Sequence, residues 1–150
     1  PLSFAHLLLG AAEKARVPRA KLRGCLGLDP LGALARTDAL AATPGVEWDA
    51  EAVSLVQSLR QEAPGLRALL VSTRPYADAG ATSVHELAWA IATGVEYLRT
   101  LERAGVPPED AARSLQFALS VGGQFFPEIA KPRAARLLSR DGRHFPFRRL

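Results

Sequence analysis

Six polar side chains stand where chemistry would concentrate in this 150-residue chain: Ser72, Arg74, Tyr76 and Asp78 in one group, Gln116 and Ser120 in another. The first group follows the short apolar run Leu66, Leu69, Leu70, Val71, which Pro64-Gly65 precedes and Pro75 closes; it reads as a buried strand that ends in a polar turn. Parallel α/β folds place their sites at the carboxyl ends of their strands. Arg74, Tyr76 and Asp78 are therefore candidates for a substrate-facing cluster, the plainer alternative being loop residues bonded to backbone and water. In the second group a period of two puts Gln116, Ala118 and Ser120 on one strand face and Leu115, Phe117, Leu119 and Val121 on the other. With Ser72 they would line a channel, or they would face solvent.

Other chemistries find no support. Cys25 is the single cysteine; in an apolar strand it reads as a small buried hydrophobe and fits a reducing cytoplasm. His6 has no second ligand three or four residues on, and no His, Cys or carboxylate cluster has metal-ligand spacing. Gly122-Gly123 precedes a helix without a following Lys-Ser or Lys-Thr, so a tight turn explains it better than a phosphate loop. Much of the +4 net charge gathers near the end, at Arg133, Arg136, Arg140, Arg143, Arg148 and Arg149. No recognition motif accompanies it, which argues for a solvated tail and against nucleic acid. No run approaches the roughly 18 apolar residues of a membrane span, and the start is unlike a signal peptide, so a soluble cytoplasmic product is expected.

These residues need a scaffold. With 48% hydrophobic residues the chain can build one core. Strands are expected at Lys21 to Leu28, Leu66 to Thr73 and Leu115 to Val121. Helices are expected at Leu2 to Ala15, Trp48 to Ala63, Thr82 to Gly105 and from near Gly123 onward. Asp29 would cap a helix whose first residue is Pro30. The expected core stripes are Phe4, Leu7, Leu8, Ala11 and Ala15 in the first helix, Val84, Leu87, Ala88, Ile91, Val95 and Leu98 in the third, and Phe125, Phe126, Ile129, Ala130, Ala134, Leu137 and Leu138 in the last. Pro132 would kink that last helix. Strands alternating with helices give an α/β fold of about three parallel strands.

Two blocks add a resemblance. AGATSVHELAWAIATGVEYLR (Ala79 to Arg99) and SVGGQFFPEIAKPRAARLL (Ser120 to Leu138) resemble the methylmalonyl-CoA mutase family of adenosylcobalamin-dependent isomerases, and LRGCLGLDPLGALA (Leu22 to Ala35) is more similar to the family's small, non-catalytic subunit. The resemblance implies a TIM-type (β/α)8 barrel along whose axis a CoA ester threads, with adenosylcobalamin carrying the rearrangement of methylmalonyl-CoA to succinyl-CoA. A closed barrel usually needs about 250 residues, so this chain would supply a partial one. Residues 1–138 would be that partial barrel domain and 139–150 a divergent basic tail.

The chain departs from the catalytic pattern. Where the family's catalytic chain has a His before the Ala-Gly-Ala turn, this chain has Pro75, which offers no side-chain donor. The family's substrate-contacting Arg and Ser positions hold Ser114 and Gln116, and Arg113, one residue off, would point to the opposite face. No Asp-x-His-x-x-Gly cobalamin motif is present, since His144 is followed by Phe-Pro-Phe. The resemblance therefore implies a small-subunit-like segment with no catalytic residues and no bound cofactor, whose partner is a catalytic mutase chain in a heterodimer, with no nucleic acid or membrane. The rival expectations are a segment of an active mutase, or a truncated product without activity.

Overall fold

The computed structural model describes residues 2–37 and 48–141. Their elements, in chain order, are α1 (Leu2–Lys14), a short 3-10 turn (Arg19–Lys21), β1 (Gly24–Leu28), α2 (Pro30–Thr37), α3 (Trp48–Glu62), β2 (Leu66–Ser72), α4 (Arg74–Asp78), α5 (Ser83–Arg103), α6 (Pro108–Ser114), β3 (Leu115–Ala118) and α7 (Phe125–Asp141). The strands form one open parallel sheet in the order β1-β2-β3, so β2 is central. Parallel neighbours require crossovers, and helices supply them: α2 and α3 between the first two strands, α4 to α6 between the last two. Three parallel strands with crossover helices agree with the expected class; the described residues show an open sheet. The tail 142–150 and the segment 38–47 lie outside the described residues.

The core joins helix and sheet. Leu55, Val56 and Leu59 of α3, Leu69 and Val71 of β2, Tyr97 and Leu101 of α5, and Leu115 of β3 are all buried in one cluster. α3, α5 and α6 pack against β2, and α1 packs on α3. Helix ends are set locally. Thr82 caps α5, its hydroxyl accepting from the His85 N–H at 3.4 Å. At the other end Gly105, at φ +78°, donates to the Glu102 carbonyl while Val106 donates to Leu101, a pairing that closes the helix with a left-handed residue. Pro108 opens α6 at a position where its missing N–H costs nothing.

Several expectations shift. β1 begins at Gly24, because Lys21 is taken into the 3-10 turn, and β3 ends at Ala118 where Thr73 N–H bonds the Ala118 carbonyl at 3.0 Å. The polar turn after β2 is the single-turn helix α4, and α6 was not foreseen. In α1 the buried residues are Ala5, Leu9 and Ala12, one position after the expected stripe, leaving Phe4 and Leu7 exposed. That helix is apolar nearly all round, so periodicity alone does not choose its face. In α5 the buried set is Glu86, Leu87, Ala90, Thr93, Gly94, Tyr97, Thr100 and Leu101, mostly one position before the expected stripe; Val84 is exposed. α7 departs furthest. Phe125, Phe126, Ile129, Leu137 and Leu138 are exposed, while Lys131 and Ala135 are buried, because the helix is seated by an ion pair rather than by its apolar residues. Pro132 sits inside α7 without ending it.

Candidate functional site at the carboxyl ends of the strands

The first polar cluster is built around a buried carboxylate. Thr73 follows β2, Glu86 lies in the first turn of α5, Ser120 follows β3, and Glu128 and Lys131 lie on α7. Glu86 is 2% exposed and Lys131 4%. Lys131 Nζ lies 2.6 Å from Glu86 Oε2, 2.9 Å from Glu128 Oε2 and 2.8 Å from the Ser120 carbonyl oxygen, so each of its three N–H bonds has an acceptor. On the other oxygen, Glu86 Oε1 accepts from the Thr73 hydroxyl and from the Ser120 N–H at 2.9 Å. The Ser120 N–H also reaches Thr73 Oγ1 at 2.8 Å.

The electrostatics follow from this geometry. Burial pushes the Glu86 pKa upward, but the bonds from Lys131, Thr73 and Ser120 outweigh it and hold the group below the ordinary value of 4.5. Burial likewise opposes the Lys131 charge, yet Glu86 and Glu128 prevail and raise its pKa above 10.5. Both groups are charged at neutral pH. Because every polar atom of the pair is engaged, the arrangement ties the sheet end to α5 and α7.

A second cluster lies beside it. Asp29 Oδ1 accepts from the Tyr97 hydroxyl at 2.8 Å and from the Gly32 N–H at 3.1 Å, and Oδ2 accepts from the Ser72 N–H at 3.4 Å. The Tyr97 oxygen in turn accepts from the Leu31 N–H at 3.0 Å. Burial first, and then the Asp29 carboxylate, push the Tyr97 phenol far above its ordinary pKa of 10.0, so it stays a donor. The cap role read for Asp29 is present. A Cβ at Gly32 would stand 2.1 Å from Asp29 Oδ2, so a larger residue here would displace the capping carboxylate.

The six candidates are distributed among separate contacts. Ser72 accepts from the Arg74 N–H at 3.4 Å, and Arg74 pairs with Asp78 at 3.4 Å on an exposed turn. Tyr76 meets Thr93 Oγ1 at 3.4 Å and packs its ring 5.0 Å from Trp89, which stacks on His85. Gln116, half-buried, stands opposite Leu70. Ser120 alone joins the buried network, through its backbone groups and with its hydroxyl 3.3 Å from Thr73 Oγ1. Pro75 is the second residue of α4. Arg113, on α6, pairs with Glu109 at 2.6 Å. Cys25 is half-buried on β1, its thiol donating to the Leu69 carbonyl at 3.5 Å and raised in pKa by burial.

Sequence reasoning missed Glu86, Lys131, Thr73 and Glu128. One signal was available: lysine occurs only at 14, 21 and 131 in a chain that otherwise uses arginine. A flexible point charge at 131 suits a socket of two carboxylates and a carbonyl better than a planar fork does. Among the described residues no group of three His, Cys, Asp or Glu could hold a metal ion, and no helix is long and apolar enough to cross a membrane.

Comparison with known proteins assigns the lineage. The family model described as methylmalonyl-CoA mutase matches residues 2–142. The methylmalonyl-CoA mutase small subunit of Streptomyces virginiae is 42% identical over 134 residues, covering 89% of this chain and 21% of that protein. The small subunit of Propionibacterium freudenreichii subsp. shermanii is 35% identical over 133 residues, covering 88% and 20%. The large subunit of Streptomyces virginiae is 35% identical over 134 residues, covering 88% and 18%. The chain spans about a fifth of the length of these relatives. By the match along nearly its whole length, the chain belongs to the methylmalonyl-CoA mutase family.

Proposed function

We propose that this chain is a small-subunit-like segment of a methylmalonyl-CoA mutase, a partial (β/α)8 barrel at residues 1–138 whose role is to pair with a catalytic mutase chain in the cytoplasm, not to catalyse. The observation that carries the reading is the buried network at the strand ends. Thr73, Glu86, Ser120, Glu128 and Lys131 are bonded to one another where a barrel enzyme would aim free groups at its substrate. Pro75 supports it, since it removes the histidine donor of the family's catalytic chain. The higher identity to the Streptomyces virginiae small subunit than to the large one points the same way.

Adenosylcobalamin would supply radical chemistry in the complete enzyme. Of the two histidines among the described residues, His85 is bonded to Thr82 at 3.2 Å and stacked on Trp89, and His6 lies on α1, which supports assigning the cofactor to the partner. On this reading the heterodimer is completed by the catalytic chain, and Ser72, Arg74, Tyr76, Asp78, Gln116 and Ser120 line a vestigial channel wall.

Two assays on the purified chain separate the possibilities. Immobilised, it should capture a purified methylmalonyl-CoA mutase large subunit from the same source. Alone, with adenosylcobalamin and methylmalonyl-CoA, it should give no succinyl-CoA. Turnover by the chain alone would establish the catalytic reading instead, and the absence of both capture and turnover would leave an inactive product.

A further inference from the structure

α7 is seated from one side only. Its buried residues, Lys131 and Ala135, lie four apart, and the helix packs against α5. The opposite side carries Phe125, Ile129, Arg133 and Leu137 at a spacing of four, with Phe126 and Arg136 beside them, so the six share one face. Phe125 is 70% exposed, Phe126 79%, Ile129 44% and Leu137 63%, and both arginines are exposed as well. At roughly 200 Å2 per aromatic side chain, the two phenylalanines alone present about 300 Å2, more than a third of the roughly 800 Å2 that one partner contributes to a standard interface.

Charge indicates what kind of surface covers this face. Among the described residues no carboxylate lies within ion-pair distance of Arg133 or Arg136, whereas Arg19, Arg60, Arg74, Arg103 and Arg113 each have one. Aromatic residues and arginine are the types enriched in the cores of protein interfaces. A second copy of this chain is a poor cover, because pairing the face with itself gathers four arginines at one interface and supplies no carboxylate. The complement is an apolar surface that carries acids.

We propose that this face of α7 is where the catalytic mutase chain docks, through an apolar surface with carboxylates opposite Arg133 and Arg136. Phe125 and Phe126 are the apolar anchors, and the two guanidinium groups, each able to hold a carboxylate with paired bonds, fix the register. The inference rests on the partner-binding role proposed above, and adds to it the surface used and the chemistry of the surface that meets it.

The test is biolayer interferometry of the full chain against a purified methylmalonyl-CoA mutase large subunit from the same source, at low and at high salt. Phe126→Ser is expected to weaken binding about tenfold or more. Arg133→Gln/Arg136→Gln should bind more weakly than the parent at low salt and match it at high salt, where the charges are screened. Leu7→Ser, at an exposed position on α1, should bind as the parent does. Far-UV circular dichroism establishes that each variant is folded. Parental affinity in Phe126→Ser, or in the double arginine variant at low salt, would overturn the docking surface and leave the pairing itself standing. No binding by the folded parent, or binding to phosphatidylglycerol vesicles in its place, would overturn both.

Discussion

Replacing Lys131 by Met should unfold a large part of this protein's margin of stability, although the new side chain is apolar and of similar length. The ammonium it removes is the partner of Glu86 Oε2, Glu128 Oε2 and the Ser120 carbonyl oxygen. Glu86, 2% exposed, would keep only the Thr73 hydroxyl and the Ser120 N–H for a full negative charge. Breaking one half of a buried pair typically costs about 3–5 kcal/mol, a serious loss for a domain whose total is about 5–15 kcal/mol. Removing both halves is cheaper. In Glu86→Leu/Lys131→Met the Ser120 N–H still bonds Thr73 at 2.8 Å and the Thr73 hydroxyl turns to the Ala118 carbonyl at 3.3 Å, while the Ser120 carbonyl and Glu128 lose the Lys131 donor, about 1–3 kcal/mol. Urea denaturation of the parent, both single variants and the double variant should therefore give a coupling of about 2 kcal/mol or more. Additivity within about 0.5 kcal/mol would refute the reasoning. The pH dependence has a fixed sign: since the folded pKa of Glu86 is lowered, its contribution is complete above the ordinary value of 4.5 and is lost as the pH falls through the folded value. That acid-side loss should be absent in the double variant.

Other perturbations have defined outcomes. Gly32→Ala should destabilise by about 1–2 kcal/mol in the same denaturation assay, because its Cβ displaces the Asp29 cap. Tyr97→Phe should cost about 1–2 kcal/mol, leaving the Leu31 N–H without its acceptor and Asp29 Oδ1 without the phenol donor. Pro132→Ala should raise thermal stability, by up to about 3 kcal/mol, since it restores an N–H and removes a ring from the interior of α7. Pro75→His should leave the isolated chain without isomerase turnover in the presence of adenosylcobalamin, because the other strand-end groups remain bonded to one another.

The sequence carried the order of elements well and the orientation of helices poorly. The strand at Leu66 to Ser72 was legible because Pro64-Gly65 and Pro75 bracket a short apolar run, and the α2 start because Asp29-Pro30 is a local signal. α1 and α5 were placed within a residue at most boundaries, but their buried faces were each turned by one position. In α5 the deciding partner of Glu86 is Lys131, 45 residues away, and no periodicity within a helix can reveal it. The same distance hid α7: its apolar residues suggested a core-facing stripe, whereas its docking depends on one lysine and one alanine. Of the six candidate site residues, Ser120 enters the buried network through backbone atoms, which carry no signature in residue type. Arg74 and Asp78 satisfy each other, a pairing that their spacing of four already allowed.

The most direct measurement of the central claim is the molar mass, by size-exclusion chromatography with light scattering, of this 16.1 kDa chain mixed with a purified methylmalonyl-CoA mutase large subunit. The account predicts a single species heavier than the large subunit by the mass of one copy of this chain. Separate elution of the two folded proteins at their individual masses would contradict it.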